Sequence, residues 1–252
     1  MSLMKIEDCV SPLEYEEVSV GNAHLYLYEP GYFKLRHNND VWMGHDTHNH
    51  WQCAEFLMEL NLAYGRCITT GIGLGMIQTY LLRNPNVSEV IVYEKNQDVI
   101  DLFKIIANKN NLDISALQFV KKDADEMSGE DVDCIFLDHW DSHIWEFLSE
   151  RIRKIANNNN CKILWYWPAV LHYSRWCKKH QNLPINLKTY QDWVKYINVR
   201  NFPNHLSEEN LENIKMLEKK YAEDSVKHIM QEYKSYQERD VLRNKMLTKY
   251  KN

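Results

Sequence analysis

The chain has 252 residues, 44% of them hydrophobic, and 30 basic against 35 acidic side chains give a formal charge of -5. This is enough apolar material for a sizeable core, most simply in one domain with appendages, and it excludes a fibrous or wholly disordered class. The acidic balance gives no bulk attraction for nucleic acid or an anionic membrane, so neither is expected as a partner, although a local basic patch is compatible with it.

No run approaches the roughly 20 apolar residues needed to span a bilayer, and no signal-peptide pattern opens the chain. The six cysteines, Cys9, Cys53, Cys67, Cys134, Cys161 and Cys177, are scattered without a C-x-x-C pair. Reduced thiols in a cytoplasmic setting are the expectation.

In chain order, short alternating runs come first, over Glu17 to Val20, His24 to Tyr28 and Tyr32 to Leu35. They are punctuated by Gly21, Pro30-Gly31 and Asn38-Asn39-Asp40, which predicts a small antiparallel element within residues 1–55. The segment Trp42 to Trp51 crowds His45, Asp46, His48 and His50, a set able to ligate a metal. A two-residue histidine spacing suits a strand or loop better than a helical metal motif, so a polar loop is expected there and no metal. Gln52 to Leu62 reads as a helix, with Phe56, Leu57 and Leu60 on one side.

The stretch from Tyr64 to Glu94 is the most informative. Cys67 to Thr70 is a short β-prone run that ends in Gly71-Ile72-Gly73-Leu74-Gly75. Alternating glycines allow positive φ and leave no Cβ between main chain and ligand. Met76, Ile77, Tyr80 and Leu81 follow at helical spacing, Asn84-Pro85-Asn86 ends that helix, and Val87 to Tyr93 is the next strand. Glu94 lies at its carboxyl end, 19 residues after Gly75, where an acid can accept ribose hydroxyls. Such glycine turns also occur simply to pack a helix on a strand. A nicotinamide site is disfavoured, because the last two glycines are too close for Gly-x-Gly-x-x-Gly.

The alternation continues beyond Glu94. Asn96 is a candidate N-cap for a helix carrying Val99, Ile100, Phe103 and Ile106. Leu117 to Val120 is a strand leading into Lys121-Lys122-Asp123-Ala124-Asp125, and Cys134 to Leu137 is a buried strand ending in Asp138. Ile144, Trp145, Leu148, Ile152 and Ile155 mark a helix, Asn157 to Asn160 a loop, and Lys162 to Trp167 a fifth strand stopped by Pro168. Strand and helix alternate five times, which predicts an α/β fold: a Rossmann-like, doubly wound, mostly parallel sheet over residues 56–200.

After Pro168 a helix is expected around Ala169 to Lys179. Ile185 to Tyr190 and Tyr196 to Val199 remain open between strand and helix. Residues 201–252 read as a helical extension, whose stripe of Leu211, Ile214, Tyr221, Ile229, Tyr233 and Tyr236 either packs on its own domain or forms a homodimer arm.

With these residues in hand, the region from Gly65 to about Trp167 resembles the class I S-adenosylmethionine-dependent methyltransferases, in particular their spermidine-synthase-like branch. The resemblance implies that Gly71, Gly73 and Gly75 approach the methionine part of S-adenosylmethionine, or of its decarboxylated form. It further implies that Glu94 holds the ribose, that Asp123 and Ala124 hold the adenine, and that Asp138 lies beside the reacting centre. Thr69 departs from the family at a position where many methyltransferases have an acid. Asp138-His139-Trp140-Asp141-Ser142 matches the two acids of the branch's Asp-x-x-Asp-Pro but lacks its proline.

Methyl transfer needs alignment of the acceptor and, for some acceptors, removal of a proton. Asp138, Asp141 and His139 are the candidates for acceptor contact or base, although Asp141 could instead cap the following helix. Trp140, Trp145, Trp165, Tyr166 and Trp167 lie near the expected carboxyl edge, as core or as pocket lining. The sequence therefore predicts a methyltransferase for a small-molecule or peptide acceptor. The alternatives are a polyamine aminopropyltransferase and a non-enzymatic Rossmann-like binding protein. The Asn/Asp-Pro-Pro-aromatic and Pro-Cys motifs of DNA-base methylases are absent after the fourth strand.

Overall fold

The structure, a computed structural model, describes residues 11–38, 40–47, 56–140 and 145–219. Among the described residues nine strands form two sheets. The first is antiparallel, in the order β1 (Val18–Val20), β2 (Ala23–Glu29), β3 (Tyr32–His37) and β4 (Asp40–Asp46). Along β3, buried Phe33, Leu35 and His37 alternate with half-exposed Tyr32, Lys34 and Arg36, so one face is packed and the other meets solvent. The fourth strand corrects the sequence expectation of a polar loop from Trp42. Its Met43 and buried His45 face inward, and pairing with β3 continues to Tyr32 opposite Asp46.

The second sheet is parallel throughout. Its order is β7 (Leu117–Val120), β6 (Val87–Tyr93), β5 (Gly65–Thr70), β8 (Asp131–Leu137) and β9 (Asn160–Tyr166). The chain builds outward from β5 through β6 to β7, then returns to place β8 on the other side of β5. This reversal is the topological switch point of a doubly wound sheet, and ligands bind such sheets in the crevice outside the carboxyl ends there. The last four residues of β5, β6 and β8 are all buried, as the continuous apolar runs required.

The helices are α1 (Leu57–Leu62), α2 (Met76–Arg83), α3 (Gln97–Lys109), α4 (Trp145–Asn158), α5 (Ala169–Lys179) and α6 (Leu187–Ile197), with α7 over 208–219. Val99, Ile100, Phe103 and Ile106 form the buried stripe of α3. Burying one such side chain stabilises by roughly 1.5–3 kcal/mol. Two expectations are refined. The loop expected at Asn157 to Asn160 shrinks to Asn159, whose buried amide donates to Met127 and Ile155 carbonyls and accepts from Glu130 N–H. The open region after Lys179 resolves as α6, started by a capping box between Asn186 and Thr189.

The antiparallel sheet docks on the parallel one through α3 and the glycine turn. Asp98 Oδ2 accepts from Asn22 N–H at 2.7 Å, and Tyr15 Oη donates to Leu74 O at 3.1 Å. At the other end Leu211, Ile214 and Leu217 of α7 are buried, and Lys178 pairs with Glu218 at 2.7 Å. The described part of the extension thus packs on its own domain; Tyr221, Ile229, Tyr233 and Tyr236 lie outside the described residues.

Candidate functional site

The glycine turn leaves the end of β5 at the switch point. All three glycines have positive φ, 74° at Gly71, 52° at Gly73 and 78° at Gly75, where L side chains are strained. Each has a different neighbour. A Cβ on Gly71 would lie 2.3 Å from Asp138 O, and one on Gly75 would lie 2.0 Å from the Phe103 ring. These two glycines therefore serve packing as well as any ligand. A Cβ on Gly73 would lie 2.6 Å from Met43 Sδ, the tip of a flexible side chain brought across the turn by β4.

The turn's donors are partly used. Gly71 N–H donates to Tyr93 O, Gly75 N–H to Ile72 O, and Ile72 N–H to Glu94 Oε2 at 3.2 Å. Among the described residues nothing accepts from the N–H groups of Gly73 and Leu74. These free donors, next to the start of α2, suit a carboxylate. Behind them the fully buried Gln78 donates to Thr69 Oγ1 at 3.1 Å and to Gly71 O at 2.9 Å. The Thr69 hydroxyl thus ties α2 to β5.

Glu94, only 6% exposed, stands at the tip of β6. Besides Ile72 N–H, its carboxylate accepts from Asn96 N–H at 2.8 Å and Asn96 Nδ2 at 3.0 Å. Two oxygens offer about four lone-pair sites. Three are taken, so one ribose hydroxyl can be added without breaking a bond, and a second only by displacing Asn96 or Ile72. Asn96 occupies the N-cap position of α3, as expected, but its side chain makes no cap bond and binds Glu94 instead.

Asp123 precedes a single 3-10 turn, Ala124–Glu126, and its Oδ1 accepts from Asp125 N–H at 3.0 Å. Lys95 Nζ is 3.8 Å from its other oxygen, and Ala124 is buried. Asp138 follows β8 half-buried, with its N–H donating to Thr70 Oγ1 at 2.9 Å. Asp141, like His48 and His50, lies outside the described residues.

Between Asp123 and Asp138 runs a polar network not expected from sequence. His139 Nδ1 is 2.7 Å from Thr70 Oγ1, and His139 Nε2 is 3.3 Å from Asp125 Oδ1. Arg151 of α4 grips the other Asp125 oxygen through Nε at 2.8 Å and through a terminal nitrogen. Burial lowers the His139 pKa, only partly offset by Asp125, which favours the neutral ring. Burial raises the Asp125 pKa, but bonds from Arg151 and His139 outweigh it and hold the carboxyl below its ordinary value. A carboxylate only accepts, so the network assigns Nε2–H to Asp125 and leaves Nδ1 to accept from Thr70. His139 is therefore occupied at both nitrogens and positions the chain around Asp138.

Ligand atoms of Asp123, Asp125 and His139 lie within 4.8 Å of one another, a spacing that can hold a metal ion. Arg151 and Lys95 already supply positive charge to both carboxylates. The aromatic residues divide: Trp165 and Tyr166 are core, whereas Trp140 is half-buried between the His139 ring, 4.4 Å away, and the Arg151 guanidinium, 5.5 Å away.

No protein-family model matches this chain, and no curated protein matches it. Among solved structures it is similar to spermidine synthase from Thermotoga maritima, at 14% identity over 57% of this chain and 54% of that one, with a TM-score of 0.44. A spermidine synthase in complex with the transition state analogue AdoDATO gives 14% identity over 57% and 53%, with a TM-score of 0.44. An S-adenosylmethionine-dependent methyltransferase from Clostridium acetobutylicum gives 13% over 42% and 45%, with a TM-score of 0.32. The chain spans about half the length of these structures.

Proposed function

We propose that the chain is an S-adenosylmethionine-dependent methyltransferase acting on a small-molecule or peptide acceptor. One observation carries this reading: the glycine turn sits at the switch point with the Gly73 and Leu74 N–H groups unaccepted, beside a buried acid at the tip of the adjoining strand. Gly73 and Leu74 would hold the amino-acid carboxylate, Glu94 a ribose hydroxyl, and Asp123 with Ala124 the adenine edge. The cofactor supplies an activated methyl group when bound.

The rest is alignment by this chain's own groups. Asp138 stands at the tip of β8 next to Gly71, and its position is fixed through Thr70, His139, Asp125 and Arg151. It would orient the acceptor and take its proton where one must leave. The carboxylates of Glu94 and Asp138 make this edge acidic, since those of Asp123 and Asp125 are already met by Lys95 and Arg151, and this favours an amine acceptor carrying positive charge. The same acidity favours aminopropyl transfer to a diamine as the second reading.

Calorimetric titration with S-adenosylhomocysteine, S-adenosylmethionine and decarboxylated S-adenosylmethionine tests the proposal. Binding of the first two, weakened about tenfold or more by Glu94→Ala and by Gly73→Arg in variants that still melt cooperatively, is the expected result. Preference for the decarboxylated form would replace methyl by aminopropyl transfer. Binding of none of the three would overturn both readings and leave a non-enzymatic scaffold.

A further inference from the structure

The antiparallel sheet reaches the glycine turn through a single strand. On β4, Met43 and His45 face inward, opposite Leu35 and Phe33 of β3. His45 is fully buried, and its ring meets that of Tyr15 edge-on at 5.6 Å. Tyr15 in turn packs on Phe33 at 5.8 Å and donates from Oη to Leu74 O at 3.1 Å. Two residues before His45, the half-buried Met43 lays its thioether against Gly73. The same strand thus holds the turn twice, at Gly73 directly and at Leu74 through Tyr15.

Gly73 and Leu74 are also the two turn residues whose N–H groups nothing accepts among the described residues. A Cβ on Gly73 would lie 2.6 Å from Met43 Sδ and 3.4 Å from its Cε. A carbon–carbon bond adds about 1.5 Å, which puts the sulfur within about 4.1 Å of Gly73 Cα. A group accepting from Gly73 N–H stands about 2.9 Å from the nitrogen, and so within about 4.4 Å of the same Cα. Whatever these two donors hold is therefore a neighbour of the thioether. The Met43 side chain brings no charge; it is an apolar, polarisable wall beside a pair of backbone donors. A ligand that suits both has an anionic end for the donors and an aliphatic stem for the sulfur.

We infer that Met43 is a specificity-determining residue for the amino-acid tail of the cofactor: the tail's carboxylate takes the Gly73 and Leu74 N–H groups while its methylenes pack on the Met43 thioether. The inference rests on the cofactor reading above and deepens it, because it makes the antiparallel sheet one wall of the tail's site. Methionine suits that place, since an unbranched, flexible side chain can repack on a ligand stem without disturbing the turn. Glu94 and Asp123, which would hold the ribose and the adenine, follow β6 and β7 instead. Met43 should therefore act on the tail and not on the nucleoside.

Calorimetric titration of the full chain with S-adenosylhomocysteine and with 5′-methylthioadenosine tests it. The second ligand keeps the nucleoside and the sulfur but lacks the tail, and where it binds weakly it is read by competition against the first. Met43→Ala should weaken S-adenosylhomocysteine about fivefold or more and methylthioadenosine less than about twofold. Met43→Leu, apolar and of similar volume, should hold both within about twofold. Thermal melts show that each variant is folded, and the ratio of the two affinities removes any loss common to both ligands; Met43→Val replaces the alanine variant if the latter does not melt cooperatively. Equal weakening of both ligands would make Met43 a support of the turn, and no change would leave it without a role in binding. Tighter S-adenosylhomocysteine binding would mean that the side chain obstructs the tail. Each of these three outcomes overturns the inference and leaves the cofactor reading standing, whereas a wild-type chain that binds neither ligand overturns both.

Discussion

The two halves of the carboxyl edge are built differently. On the β5–β6 side the main chain does the shaping: three glycines at positive φ turn the chain, and Glu94 fastens the turn by accepting from Ile72. On the β8 side side chains do it, through the line from Arg151 to Asp125, His139, Thr70 and the Asp138 N–H. A turn made of backbone fails wherever a Cβ is added, whereas a side-chain network fails by leaving buried polar groups without partners.

The largest effects should come from the glycines. Gly71→Ala meets the fixed Asp138 carbonyl and Gly75→Ala meets the Phe103 ring, in each case with left-handed strain as well. Each should lose roughly 2–5 kcal/mol in urea denaturation. Gly73→Ala meets only the movable tip of Met43 and should lose about 1–2 kcal/mol. Equal losses at all three positions would remove the distinction between packing glycines and a ligand-facing one.

On the other side, Asp125→Ala leaves the buried His139 Nε2–H without its acceptor and should lose roughly 1–3 kcal/mol. Adding His139→Ala should lose less than the sum of the two single changes, by at least about 0.5 kcal/mol. Strict additivity would show that the network does not act as a unit.

Acid should act on this half first. The folded-state pKa of His139 lies below its ordinary value of 6.5, so the unfolded chain binds the proton more readily. Its contribution is complete above about pH 6.5 and is lost as the pH falls from there through the folded-state value. His139→Gln should flatten this part of the stability profile, read from denaturation midpoints. An unchanged slope would assign the acid sensitivity elsewhere.

The smallest effect is expected at Asn96→Ala. It removes one amide bond to Glu94, with a loss of about 0.5–1.5 kcal/mol by urea denaturation. A larger loss would mean that Asn96 is essential to the glycine-turn half.

Much of the fold was legible because its signals are local. The run Val87 to Tyr93, the helical stripe of α3 and the glycine turn each declare themselves within a few residues, through hydrophobic period and backbone freedom. The strand β4 was hidden, since its sequence from Asp40 to Asp46 has no strict alternation and carries Gly44 and two aspartates, so that its pairing with β3 shows only in the main-chain register. Arg151 carried no local signal, and Thr70 read as one more β-prone residue.

The sequence by itself determined the alternation of strand and helix, the glycine turn and the acids at the strand tips, because propensity, periodicity and φ are properties of short segments. Only the tertiary structure decided that β8 returns beside β5, that Asp125, His139 and Thr70 meet there, and that Met43 lies across Gly73. Those contacts join residues far apart in the chain, and their geometry exists only once burial of the parallel sheet has fixed the order of its strands.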